Sequence, residues 1–192
     1  MNLNVPNLLT WLRIVLIPVL GLMFLLPYPW SNAVAAAVFA LAGATDWLDG
    51  YLARRLNQTS PFGAFLDPVA DKLMVAMALV ALLTVNPTAV FAVPAAVIIG
   101  REIAVSALRE WMAELGKRAS VAVGMVGKIK TTAQMAAILL LLYRRDIGGF
   151  PVQDVGMVLL YAAAILTLYS MMIYLQAAWK AIREDTGDRG GA

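Results

Sequence analysis

The chain has 192 residues, of which 61% are hydrophobic and only 14% charged, with a formal net charge of +3. A soluble domain carries about 25% charged residues, and a chain of this size has too little interior to hide so much apolar side chain from water. Composition thus excludes an ordinary cytosolic domain and a disordered chain. Cysteine and histidine are both absent, which excludes a disulfide framework, thiolate chemistry, an imidazole base and a histidine-ligated metal. Any chemistry is left to carboxylates, hydroxyls, lysine, arginine or a hard metal ion.

A membrane crossing takes about 20 apolar residues, and the apolar runs predict an all-α polytopic membrane protein with six transmembrane helices. The first runs from Leu8 to Leu26 and stops at Pro27-Tyr28-Pro29. The second runs from Ala33 to Leu56, and the third from Phe62 to Thr84, ending at Asn86-Pro87. The fourth runs from Ala89 to Leu108 and continues as the charged stretch Arg109–Glu114. The fifth runs from Val121 to Tyr143, the sixth from Val155 to Trp179. The first run lacks a basic flank and is long, so it is not expected to be a cleaved signal peptide. Polar positions within Asn2–Arg13 predict a short interfacial segment before the first crossing. The loops leave no room for a second domain, so residues 1–192 are expected to form one.

Basic residues orient this arrangement. Six crossings put both termini on one side, and 13 of the 15 lysines and arginines fall on or near that side; only Arg144 and Arg145 do not. The positive-inside rule makes both termini cytoplasmic. The basic rim suits anionic lipid head groups and phosphorylated substrates. Nucleic acid is not an expected partner, since no soluble basic domain exists to bind it.

The acidic residues carry most of the information. Asp46 and Asp49 are i and i+3 on the second helix; Asp67 and Asp71 are i and i+4 on the third. Counted from the far surface at 1.5 Å per residue, Asp46 and Asp71 both lie roughly 20 Å deep. That depth is about 10 Å below the cytoplasmic face of a hydrocarbon core about 30 Å thick. Four carboxylates from two antiparallel helices can therefore converge. Uncompensated they would repel one another, and carboxylates within a membrane face a cavity or a partner. Oxygen-only donors point to Mg²⁺ or Mn²⁺, as one ion or as two sharing a bridging carboxylate; two are expected. The plainer alternative is salt bridging of these aspartates to Arg54, Lys72 or Arg101.

Gly50 and Ala53 remove bulk beside the aspartate face of the second helix, and Gly63 does so at the start of the third, leaving a slot for a flat group. Without the aspartates these would read as helix-packing positions. Arg54 at the cytoplasmic mouth could clamp a phosphate or simply anchor the helix. Ser60-Pro61 reads as a cap and first helical position. Pro68 either kinks the third helix between its two aspartates or marks where it begins. A second group, Arg101, Lys128 and Lys130, could hold a phosphate monoester, with snorkelling to head groups as the alternative for the lysines. Glu102 is expected to pair with Arg101 or a lysine.

Asp46-x2-Asp49-Gly50-x2-Ala53-Arg54-x8-Gly63-x3-Asp67-x3-Asp71 matches the signature of the CDP-alcohol phosphotransferases at every fixed position. The stretches Pro6–Arg13, Thr45–Gly50, Phe62–Lys72, Gly100–Ile103, Ala107–Lys117 and Lys128–Gln134 extend the resemblance over almost the whole chain, to the proteobacterial members acting on glycerol 3-phosphate. The resemblance implies transfer of a phosphatidyl group from CDP-diacylglycerol to sn-glycerol 3-phosphate, with release of CMP, in a bacterial inner membrane with the site facing the cytoplasm. It further implies metal ions on Asp46, Asp49 and Asp67, Asp71 as general base, and a cytidine slot at Gly50, Ala53 and Gly63. Arg54 would contact the CDP phosphates, and Arg101, Lys128 and Lys130 the acceptor phosphate. A homodimer is implied as well. The competing functions are a family member using serine or inositol phosphate, a cation transporter, and an intramembrane aspartyl protease. Transporter-like repeats and a Gly-x-Gly-Asp stretch are missing.

Overall fold

The computed structural model describes residues 5–56, 61–114 and 125–189. Six helices account for nearly all of them: α1 (Val5–Met23), α2 (Ser31–Leu56), α3 (Pro61–Val85), α4 (Ala89–Glu114), α5 (Met125–Tyr143) and α6 (Val152–Arg189). Among the described residues the sole β feature is an isolated bridge between Ile147 and Phe150. Four stretches are long and apolar enough to cross a membrane: Ser31–Asp49, Phe65–Val85, Ala89–Glu114 and Val152–Trp179. Two shorter apolar stretches, Leu8–Met23 and Ile129–Tyr143, complete the set.

The helix boundaries follow local chemistry. The Thr88 hydroxyl accepts the Phe91 amide at 3.3 Å and caps α4. Pro61 opens α3, as expected of a residue that lacks the N–H a first helical position leaves unused. The helix then runs unbroken through Pro68, so the later of the two expected starts is not the one adopted. At the end of α5, Arg144 takes a left-handed conformation, and Gly148 and Gly149 both have positive φ. Two successive positive-φ residues make the tight turn that pairs Ile147 with Phe150. The Asp146 carboxylate accepts the Val152 amide at 3.0 Å, starting α6 three residues earlier than its apolar run suggests.

Helix α1 is continuous from Val5, and its polar positions Thr10 and Arg13 are buried in the bundle. The apolar stretch of α6 ends at Trp179 as expected, and the helix continues beyond it to Arg189. Its 38 residues span about 57 Å, nearly twice the hydrocarbon thickness.

Packing places α1 against α2 and α3, α5 against α6, α2 and α3, and α4 against α6 and α3. The core runs along their shared axis through Leu20, Phe39, Leu79, Phe91, Ile98, Ile138 and Leu160. Outward positions are also apolar, Val15, Val80, Val93, Val158 and Ile165 among them, the all-round pattern of helices set in lipid. Pro94 has no N–H to give the Val90 carbonyl, a vacancy that lipid cannot fill. The Tyr161 hydroxyl of α6 donates to that oxygen at 2.8 Å. At Gly156 α6 lies close against α5: a Cβ there would lie 2.9 Å from Leu141 Cγ, whereas one at Gly100 would meet nothing within 4 Å. Gly156→Ala is therefore expected to melt below Gly100→Ala by the overpacking cost, about 1–3 kcal/mol. Detergent thermal denaturation of the two variants checks this.

Candidate active site

The guanidinium of Arg13 is the centre of the site. Its Nη2 lies 2.5 Å from Asp49 Oδ2 and 3.4 Å from Asp46 Oδ1, and its Nη1 lies 2.5 Å from Asp71 Oδ1. The fourth aspartate, Asp67, accepts a hydrogen bond from the Thr10 hydroxyl, one turn before Arg13 on α1. Four carboxylates from α2 and α3 thus converge as their spacing predicts, around a cation and a hydroxyl supplied by α1. Arg13 is 1% exposed and Asp49 4%, while Asp46 and Asp71 are close to half-exposed.

Asp46 and Asp71 face a cavity of about 270 Å³. Arg13 and Lys72 line the same side, and Glu102, Lys130 and Gln134 also line it, from α4 and α5. A Glu102 oxygen accepts from Lys130 Nζ at 2.8 Å and from Arg101 Nη1 at 3.0 Å, the pairing expected for Glu102. Arg101 does not line the cavity. It is buried on the α6 side, donating from Nη2 to Ser170 Oγ at 2.7 Å, with the Tyr174 ring 5.9 Å away. Tyr174 also bonds Arg109, whose guanidinium stacks on its ring at 4.7 Å.

Asp46, Asp49, Asp67 and Asp71 form one cluster, and Lys130 joins Arg101 through Glu102 at the other end of the cavity. Gly63 is buried in the first turn of α3. Gly50, Ala53 and Arg54 lie on α2 and Lys128 on α5, but their side chains lie outside the described residues. The sequence reading missed Thr10 and Arg13 as site residues, and put Arg13 on the basic rim. The signal was available: a polar i, i+3 pair inside an apolar helix demands a partner for the same reason that the aspartates do. Among the described residues, salt bridging of the aspartates occurs to Arg13 and not to Lys72 or Arg101; the Arg54 side chain lies outside them.

The profile of the CDP-alcohol phosphatidyltransferase family matches residues 3–169, which include all six helix starts and both halves of the cavity. The chain belongs to that family. Family membership extends to the segments that the signature itself does not cover: α1 with Thr10 and Arg13, and the α4–α5 wall. Among its relatives is a protein of Yersinia enterocolitica named CDP-diacylglycerol--glycerol-3-phosphate 3-phosphatidyltransferase, 54% identical over 96% of this chain and 100% of its own length. Proteins of the same name from Shigella flexneri and Salmonella choleraesuis are 55% and 54% identical, each over 93% of this chain and 96% of their own length.

Proposed function

We propose that this chain is a membrane enzyme that transfers the phosphatidyl group of CDP-diacylglycerol to sn-glycerol 3-phosphate, giving phosphatidylglycerophosphate and CMP. The observation that carries the proposal is one cavity lined by Asp46 and Asp71 on one side and by Lys130, paired with Glu102, on the other, in a chain whose relatives over nearly full length bear the name of that reaction. A phosphate monoester held at Lys130 would present its free hydroxyl toward Asp71. Asp71 takes the hydroxyl proton, the oxygen attacks the lipid-bearing phosphorus of the diphosphate, and the bond to CMP breaks with CMP as leaving group.

The proposal includes two Mg²⁺ or Mn²⁺ ions at Asp46, Asp49, Asp67 and Asp71. The donor set fits, being all carboxylate oxygen, and the cluster already holds one positive group among three of its members. Among the described residues no three acidic groups close on one point as a metal shell; the guanidinium stands between them. When bound, the ions would supply charge neutralisation at the diphosphate and on departing CMP. Gly50, Ala53 and Gly63 are assigned to the cytidine, Arg54 to the CDP phosphates, and Lys128, Lys130 and Arg101 to the acceptor phosphate. Arg101 would act from behind Glu102, since it does not line the cavity. We further assign all six helices to membrane crossings in a single domain, with both termini and the cavity mouth cytoplasmic, in a bacterial inner membrane and as a homodimer.

Purified enzyme incubated with CDP-diacylglycerol and one acceptor at a time tests the reading. CMP release is expected with glycerol 3-phosphate; release with serine or inositol phosphate but not with glycerol 3-phosphate would overturn it. Chelation is expected to stop turnover and added Mg²⁺ or Mn²⁺ to restore it, and full activity in a chelator would remove the ions from the proposal. Lys130→Ala deletes a charge-assisted contact of about 1.5–3 kcal/mol. It should therefore raise KM for glycerol 3-phosphate about 10- to 150-fold with KM for CDP-diacylglycerol unchanged. An equal rise for both substrates would place Lys130 elsewhere.

A further inference from the structure

Gln134 lines the cavity, is 5% exposed, and its Oε1 has no hydrogen-bond partner among the described residues. A buried carbonyl oxygen left unpaired costs about 1–3 kcal/mol, so a membrane helix retains one where something fills it. The other unpaired buried side-chain atoms of the described residues are Arg13 Nε, Arg101 Nε and Thr167 Oγ1. Both arginines are already engaged through their terminal nitrogens, and Thr167 does not line the cavity. Gln134 therefore carries the one buried, unpaired side-chain acceptor among the described residues that line the cavity.

Its place on α5 narrows what it meets. Gln134 is i+4 from Lys130, on the same helix face and about 6 Å further along the axis. A Cβ at Gly43 on α2 would lie 3.1 Å from Met135, which puts this turn of α5 level with α2 one turn before Asp46. A small acceptor with its phosphate at Lys130 would thus extend past Gln134. We propose that the Gln134 carboxamide reads the central C2 hydroxyl of a glycerol phosphate acceptor, making it a specificity-determining residue; this rests on the proposed function. The phosphate is taken by Lys130 and the terminal hydroxyl is the one that reacts, so the C2 hydroxyl is the polar group left to satisfy. It lies four covalent bonds from the phosphorus, a reach comparable with the rise of one helical turn, about 5.4 Å. A hydroxyl donates and accepts, so it can bond the carboxamide in either amide orientation.

The test pairs a ligand deletion with a side-chain deletion. 3-Hydroxypropyl phosphate keeps the phosphate and the reacting hydroxyl but lacks the C2 hydroxyl. Wild type should prefer glycerol 3-phosphate over it by about 10- to 100-fold in kcat/KM, because the analogue leaves Gln134 unpaired. Gln134→Leu, with Gln134→Met as a second variant should the first not fold, should bring glycerol 3-phosphate down to the level of the analogue. Both variants should leave kcat/KM for the analogue and KM for CDP-diacylglycerol within about threefold. Equal losses on both acceptors, unchanged preference in the variants, or no preference in wild type would each overturn the assignment. Wild type turning over neither acceptor would instead overturn the proposed function, and this assignment with it.

Discussion

Asp71→Asn is expected to lower CMP release by about 10²- to 10⁴-fold, the range a positioned general base contributes. Asparagine keeps the shape and one oxygen but cannot take a proton from the acceptor hydroxyl. The substitution should leave the fold standing. Asp71 is close to half-exposed on the cavity wall, and its partner Arg13 still has Asp49 and Asp46. Thermal denaturation close to that of wild type together with lost CMP release is the expected pair of results. Full activity in Asp71→Asn would end the assignment of Asp71 as base. Lost activity with a collapsed melting temperature would make Asp71 a structural partner of Arg13 instead.

Arg13→Ala should have the largest effect on stability. It removes the cation 2.5 Å from Asp49, which is 4% exposed, and leaves that buried carboxylate beside those of Asp46 and Asp71. Removing one partner of a buried ion pair costs about 3–5 kcal/mol, or about 6–20 °C of melting temperature in a chain of this length. Arg13→Lys should recover only part of the loss, because an ammonium cannot fork to three carboxylates from two alpha-helices. Asp49→Asn in the Arg13→Ala background should recover part of the stability, since it removes one of the mutually repelling carboxylates. An unchanged melting temperature in Arg13→Ala would show that the cluster does not depend on this cation.

The carboxylate cluster was legible in the sequence because it needs only spacing: i, i+3 and i, i+4 pairs at matched depth fix which side chains share a face whatever the neighbours do. The two ends of α3, at Ser60-Pro61 and at Asn86-Pro87, were legible for the same local reason, while α6 begins three residues before its apolar run suggests. Arg13 was not placed, because a basic residue near a membrane surface satisfies the positive-inside rule whether it points outward or inward. Only the packing of α1 between α2 and α3 separates the two. Arg101 likewise needed α6, 69 residues later, to show that it faces Ser170 rather than the cavity. The end of the sixth apolar run at Trp179 was legible, and the helix continues past it because hydrogen bonding along a helix does not need apolar side chains.

The bond from Tyr161 to the Val90 carbonyl and that from Arg101 to Ser170 join the same two helices at two heights. Residue numbers rise together in both pairs, so α4 and α6 run parallel, and 11 residues on α4 separate the clasps by about 16 Å. A slide of either helix by one turn, about 5.4 Å, would break both clasps at once, leaving the Val90 carbonyl unpaired and the Arg101 guanidinium without Ser170. The pair therefore holds α4 and α6 in one register along the cavity.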